Sequence, residues 1–228
     1  PLSEQEAMEV SQIWSLAGLL PSRAALLTRR PFRSPHHTSS SSSIIGGGSN
    51  PKPGEVTLAH RGVLFCDEFP EFSRTAVENL RQPLEDGFVT ICRVAGSFAY
   101  PARFILIAAQ NPCPCGLFQS SFGACRCSPL DLLRYARKIS GPIRDRIDLH
   151  VFVPRLPLTE ITSSPAETSA LVRARVIKAS TRSQKRLSKT NFQSTNELPQ
   201  NILEKLSPLH SSVRSLLIRT ADQLKLSA

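Results

Sequence analysis

Two short apolar runs, each ending abruptly in polar groups, constrain this chain more than any other feature. Residues 63–66 read "VLFC" and run into Asp67 and Glu68; residues 104–109 read "FILIAA" and run into Gln110 and Asn111. Runs this short and this apolar, with no polar alternation, fit strands buried inside a parallel sheet better than an amphipathic helix. They predict strands over 63–67 and 104–109, whose carboxyl ends carry the chemistry.

The segments around them are helical. Ser3-x-x-Glu6 is a capping box, and Ala7, Val10, Ile13, Trp14 and Ala17 follow at helical spacing until Gly18, so the chain opens inside a helix. Ser73 caps a helix with Ala76, Val77, Leu80 and Leu84 on one face. Residues 88–103 read as a hairpin turning near Ala95-Gly96. Ser128 is an N-cap with Pro129 at the first position of a helix carrying Leu132, Leu133, Tyr135, Ala136 and Ile139. "IDLHVFV" reads as a third short strand. The stretch 31–54, dense in Ser, Gly and Pro, reads equally well as a flexible loop or as a functional insertion. From Pro154 the character changes: "PRLPLTEITSSPAE" is a linker, and Ser164-x-x-Glu167 caps a basic helix. Two more helical stretches follow, around 197–206 and 209–225. The prediction is an α/β domain over 1–154 and a small α-helical domain over 155–228.

Composition narrows the function classes. No run of about 18 apolar residues exists, so no membrane-spanning helix is expected. "PLSEQEAMEV" has neither the basic nor the apolar region of a secretory signal, and the expected location is the cytoplasm. The formal charge of +10 raises the expectation of a nucleic-acid partner.

A buried strand ending in two acids fits the Walker B element of a P-loop ATPase, because such strands open onto the crevice where ligands bind. Asp67 would hold Mg²⁺, a hard cation that prefers carboxylates and water. Glu68 would activate the water that attacks the γ-phosphate of ATP. Alone, the pair reads more readily as a solvated strand end. Asn111 sits at the end of the second strand, within reach of a γ-phosphate or its lytic water. Arg144 and Arg146 lie on a tight connection, where a guanidinium can reach a neighbouring subunit's nucleotide.

"RPFRSPHHT", "IIGGG", "PGEVTLAHRGVLFCDEFPEF", "LRQPLEDG", "PARFILIAAQNPCPCG" and "LRYARKISGPIRDRIDLHV" together resemble AAA+ ATPases of the magnesium-chelatase-like group, ComM (YifB) type. The resemblance implies a P-loop AAA+ three-layer sandwich followed by a helical lid. It also implies a hexameric ring using ATP and Mg²⁺ to act on DNA, as a branch-migration helicase in recombination or natural transformation. By position it makes Asp67 and Glu68 the Walker B acids, Asn111 sensor 1 and Arg146 the arginine finger, with Arg144 in reserve. The hairpin sits where related ring helicases carry one facing the central channel. Arg93 near its tip then touches DNA phosphate, or the hairpin is merely structural. The 31–54 stretch sits where this group has an insertion. Its His36 and His37 read as metal ligands or, more plainly, as turn-stabilising or solvated side chains.

No G-x-x-x-x-G-K-[ST] occurs in the sequence. In the resembled group the phosphate loop precedes the segment that "LSEQEAMEVSQIWSLAGLLP" resembles, and "SVRSLLIRTADQLKLSA" leads into a sensor 2 arginine. The resulting expectation is a piece lacking the first strand and the phosphate loop, unable to hydrolyse ATP alone.

The sequence has six cysteines, and Cys113, Cys115, Cys125 and Cys127 form two C-x-C pairs that can close a tetrahedral Zn²⁺ site. Free thiols or a redox pair remain open. Arg175, Lys178 and Arg182 recur at helical spacing in 165–190, either as a solvated face or as a phosphate-tracking DNA surface. Two rival functions stay in view: a chelatase motor partner, and a basic DNA-binding or scaffold module without catalysis.

Overall fold

The computed structural model describes residues 1–22, 26–47, 52–93, 96–119, 123–154, 156, 167–188, 190, 192 and 198–224, with Arg93 described by its backbone only. The chain divides into two units, Pro1–Arg155 and Leu156–Ala228.

The first unit opens with α1 (Glu4–Leu16), nucleated by the expected capping box: Glu6 N–H donates to Ser3 Oγ at 3.2 Å and Ser3 N–H to Glu6 Oε2 at 2.9 Å. Its Ala7, Val10 and Ile13 are buried. The Ser/Gly/Pro-rich stretch is more than a loop. It contains β1 (Phe32–Arg33), α2 (Ser41–Ile45) and a minimal ribbon of β2 (Gly46–Gly47) with β3 (Lys52–Pro53), and α3 (Glu55–Leu58) follows. A two-residue strand leaves no readable period, so β1 is invisible to pattern analysis.

Next come β4 (Val63–Cys66) and a 3₁₀ turn over Phe69–Glu71, followed by α4 (Arg74–Glu78) and α5 (Arg81–Asp86). The one helix expected after Ser73 is thus two. Pro83 has no N–H to return to the Asn79 carbonyl and its ring crowds that turn, so the helix is interrupted there. The hairpin forms from β5 (Phe88–Arg93) and β6 (Gly96–Pro101) as a sheet of its own, and β7 (Ile105–Ala108) follows. The expected turn residue Ala95 lies outside the described residues. α6 (Pro129–Ala136), capped by Ser128 as expected, and α7 (Gly141–Arg144) complete the unit.

The central sheet is parallel, in the order β1-β4-β7, with Val63 opposite both Phe32 and Ile105. Gly62 permits the β1 pairing: a Cβ there would sit 2.0 Å from the Pro31 carbonyl oxygen, which accepts the Val63 N–H at 2.9 Å. The core lies on one face of this sheet. Leu64 and Cys66 of β4 pack with Ile44, Val56, Phe69, Val77, Val89 and Ile143.

Two strand expectations change. The sheet is not buried on both faces: Phe32 of β1 and Ile105 and Ile107 of β7 are 63, 65 and 46% exposed. Residues 147–153 form no strand, and Leu149 is 82% exposed. A strand needs a neighbouring edge to satisfy its backbone groups, and that segment pairs with none among the described residues.

The second unit holds α8 (Ser169–Leu187), α9 (Gln200–Leu206) and α10 (Ser211–Leu224). The expected cap Ser164 lies outside the described residues. The basic helix instead begins at Ser169, with Thr168 Oγ1 accepting the Leu171 N–H at 3.4 Å. No described helix is long and apolar enough to cross a membrane.

Candidate nucleotide site and thiol cluster

Register brings the candidate site together. Cys66 pairs with Ala108, and the ladder continues past both strand ends: Ala109 N–H donates to Cys66 O and Phe69 N–H to Ala109 O, each at 2.9 Å. Asp67 and Glu68 therefore share one sheet edge with Asn111, and all three are exposed. Asp67 continues the β4 direction, and its Oδ1 accepts the Glu68 N–H at 2.9 Å. Glu68 is turned off that line by a left-handed backbone, φ 49° and ψ 43°. For a non-glycine residue this costs about 1–2 kcal/mol. Glu71 N–H closes the turn on Glu68 O at 2.7 Å.

Glu68 has a partner that sequence reasoning missed. Its Oε2 lies 3.0 Å from His37 Nδ1. His36 takes the turn-stabilising role, with Nδ1 2.8 Å from Thr38 Oγ1 and its ring against that of His37 at 4.2 Å between centroids. The segment carrying them is anchored at β1 by Arg33, which donates twice to Glu55 at 2.6 and 2.7 Å. "PHHT" beside a basic and Ser-rich stretch held no signal for the Glu68 contact, because the pairing depends on β1 lying parallel to β4. His60, which the sequence did not single out, is buried: Nδ1 accepts the Arg103 N–H at 3.0 Å and Nε2 faces Glu9 Oε2 at 3.2 Å. Burial lowers its pKa despite the Glu9 carboxylate, so it is a neutral structural group at pH 7.

The two arginines differ. Arg144 donates to the carbonyls of Ala136 and Ile139 at 3.2 and 3.3 Å, which caps the end of α6. Arg146 forms an ion pair with Glu85 of α5 and donates to Pro142 O at 3.1 Å, while its buried Nε finds no partner among the described residues. Arg93 ends β5 opposite Gly96; its side chain lies outside the description. Arg175, Lys178 and Arg182 are exposed on α8, where Arg175 is paired with Glu167.

The four loop cysteines converge. Cys113, Cys115 and Cys125 have Sγ atoms 3.4, 3.8 and 3.6 Å apart pairwise, and Cys127 joins them with all four ligand atoms within 4.8 Å. Among the described residues no other group of three or more His, Cys, Asp or Glu side chains converges this way. The "CPCG" turn is closed by Gly116 N–H on Cys113 O at 3.0 Å, with Gly116 at φ +74°, a left-handed conformation that glycine adopts without strain. The N–H groups of Arg126 and Leu117, then the Cys113 thiol, draw the Cys115 thiol down to about 6. Cys127 is pushed up to about 12: the Cys115 N–H favours its thiolate, but desolvation and the neighbouring thiols outweigh that. Cys66, by contrast, is simply a core thiol raised to about 12 by burial.

The thiol loop touches the carboxylate edge through α6. The Asn111 N–H points at the Tyr135 hydroxyl, whose pKa is raised by burial and by the Glu71 carboxylate. Lys138 donates to Glu71 at 2.8 Å.

Against this geometry, likeness to known proteins is extensive in sequence. The profile described as "Magnesium chelatase, subunit ChlI" matches residues 1–161, and "Magnesium chelatase, subunit ChlI C-terminal" matches 166–228. The chain is 45% identical over 192 residues to the uncharacterized protein YifB of Escherichia coli, covering 83% of this chain and 37% of that one. It is 46% identical over 165 residues to the competence protein ComM of Haemophilus influenzae, covering 72% and 32%. A shorter match, 38% over 61 residues, runs to the chloroplastic magnesium-chelatase subunit ChlI of Oryza sativa subsp. indica, covering 27% and 15%. The chain thus spans well under half the length of these relatives. Matched almost end to end, it belongs to the magnesium chelatase ChlI-subunit family, in the group that includes YifB and ComM.

Proposed function

We propose that this chain carries the Walker B and sensor half of an ATP-hydrolysing AAA+ motor that works on DNA in the cytoplasm as a hexameric ring. One observation supports this reading above the others: parallel β4 and β7 deliver Asp67, Glu68 and Asn111 to a single carboxyl edge. A carboxylate pair and an amide at that edge have no packing role, since all three are exposed.

The donor set fits a magnesium nucleotide in part. Two exposed carboxylates are hard oxygen donors of the kind Mg²⁺ takes. The glycine-lysine loop that grips β- and γ-phosphates does not occur in these 228 residues. When bound, the magnesium nucleotide supplies the transferable phosphoryl group and a neutralising cation.

The remaining roles belong to the side chains. Asp67 spends Oδ1 on its neighbour's N–H and keeps its other oxygen for the metal. Glu68 works as the base for the attacking water, for which it must leave His37. Asn111 orients that water, with its backbone N–H facing the Tyr135 hydroxyl. Arg146 is the finger, because Arg144 is already committed to two backbone carbonyls. To act it must release Glu85, an exchange favoured when a neighbour's phosphates offer more negative charge. Arg93, Arg175, Lys178 and Arg182 supply cationic contacts to DNA phosphate, consistent with the chain's net charge. The four thiols take no part in hydrolysis.

The ComM likeness, longer than that to the plant chelatase subunit, favours DNA over a porphyrin-metallating complex as the working partner. The test is hydrolysis by the full-length protein, with and without DNA, comparing Glu68→Gln with the parent. Retained nucleotide binding with hydrolysis lost, and parental hydrolysis stimulated by DNA, is the expected outcome. Undiminished turnover in Glu68→Gln would remove the assignment of the base; stimulation by a porphyrin complex and not by DNA would replace the partner.

A further inference from the structure

Four sulfurs bound at about 2.3 Å around a tetrahedral zinc lie about 3.8 Å from one another. The observed Sγ separations of 3.4, 3.6 and 3.8 Å match that edge. A disulfide would need about 2.05 Å, and all four cysteines are free. Thiols packed for hydrophobic reasons alone would be buried, whereas here only Cys113 is; Cys115 is exposed and the other two are half-buried.

The backbone is arranged for sulfur as well. Phe118 N–H points at Cys113 Sγ at 3.3 Å, and the "CPCG" turn folds the first pair back on itself. N–H donors to sulfur, and a turn that brings two thiols to one point, are the outer partners expected of a thiolate metal site. A tetrathiolate zinc unit carries two net negative charges, and Arg126 and Arg134 line the cleft beside Cys115 and Cys127.

We propose that Cys113, Cys115, Cys125 and Cys127 together hold one structural Zn²⁺. Four sulfurs leave no open coordination position, so the ion binds no substrate. Binding releases the thiol protons to solvent and involves no change of oxidation state. The ion pins the loop that begins two residues after Asn111 and ends at Cys127, immediately before the Ser128 cap of α6. It thereby fixes the distance between Asn111 and Tyr135. This inference does not depend on the ATPase reading, since metal content is measured without nucleotide.

The experiment uses the 228-residue chain, purified under reducing conditions without chelator. Elemental analysis is expected to give about one zinc per chain. Stripped protein titrated with Co²⁺ is expected to show thiolate-to-cobalt charge-transfer absorption and tetrahedral d–d bands, both abolished by one equivalent of Zn²⁺. Cys92→Ser, outside the cluster, is expected to keep the metal. Cys125→Ser with Cys127→Ser is expected to lose it. If that double variant does not fold, the cobalt titration of the parent decides alone. Absence of zinc together with absence of a cobalt spectrum overturns the proposal, and stoichiometric iron overturns the choice of metal.

Discussion

The ends of β4 and β7 lie side by side and bear opposite kinds of chemistry. β4 ends in two carboxylates, hard donors that are exposed. β7 runs on into thiols, soft donors that have already gathered within reach of a single ion. The first group is held by the left-handed backbone of Glu68 and by the 3.0 Å contact of its carboxylate with His37 Nδ1. The second is held by the tight Cys113–Cys115 turn and by the return of Cys125 and Cys127 to the same point. A site meant to turn over keeps its donors apart and available, whereas a site meant to hold closes on itself. Among the described residues the two come together at Tyr135 and Glu71, and their independence is testable.

The largest expected effect is on the carboxylate side. Glu68→Gln in the full-length protein removes the carboxylate proposed as the base and is expected to slow hydrolysis by about 10²–10⁴-fold. Zinc content should be untouched, as measured by elemental analysis of the same preparation. A variant that lost both would show that the two strand ends form one unit after all.

Beneath both sites, the sheet has unequal faces. Leu64→Ala on the packed face is expected to cost about 2–5 kcal/mol, read by denaturant unfolding. Ile105→Ala on the bare face is expected to cost about 0.5 kcal/mol or less. Equal losses would mean that something covers the outer face in solution.

His37→Ala tests how firmly Glu68 is restrained. A polar contact to a charged group is worth up to about 1.5–3 kcal/mol, and removing His37 frees the carboxylate for water. Basal turnover is expected to rise several-fold with KM unchanged. A fall in kcat would mean instead that His37 holds Glu68 in its working position.

The smallest effect concerns α8. Arg175, Lys178 and Arg182 replaced by Glu are expected to weaken DNA binding at low salt and to leave basal hydrolysis intact. Each lost phosphate contact reduces the salt slope by about 0.9 on B-DNA. Unchanged affinity would assign this stripe to solvent, as its full exposure also allows.

The sequence by itself determined the local structure. Ser3 with Glu6, Ser128 with Asp131 and the Pro129 start are capping contacts between residues three apart or fewer, so they are written in adjacent letters. The two apolar runs ending in polar groups, and the paired C-x-C spacing, belong to the same class. Even the break near Asn79 was spelled by Pro83, although helical periodicity masked it.

Only the tertiary structure decided what meets what. The parallel register of β4 and β7 joined Asp67 and Glu68 to Asn111, and β1, too short to announce itself, carried His37 to Glu68. The left-handed turn at Glu68 and the pairing of Arg146 with Glu85 likewise have no local signature. "FILIAA" and "IDLHVFV" look alike as letters, yet the first carries β7 and the second is largely exposed chain without a strand. Strand formation requires a partner edge that donates and accepts the backbone hydrogen bonds, and that partner is chosen by the fold rather than by the segment.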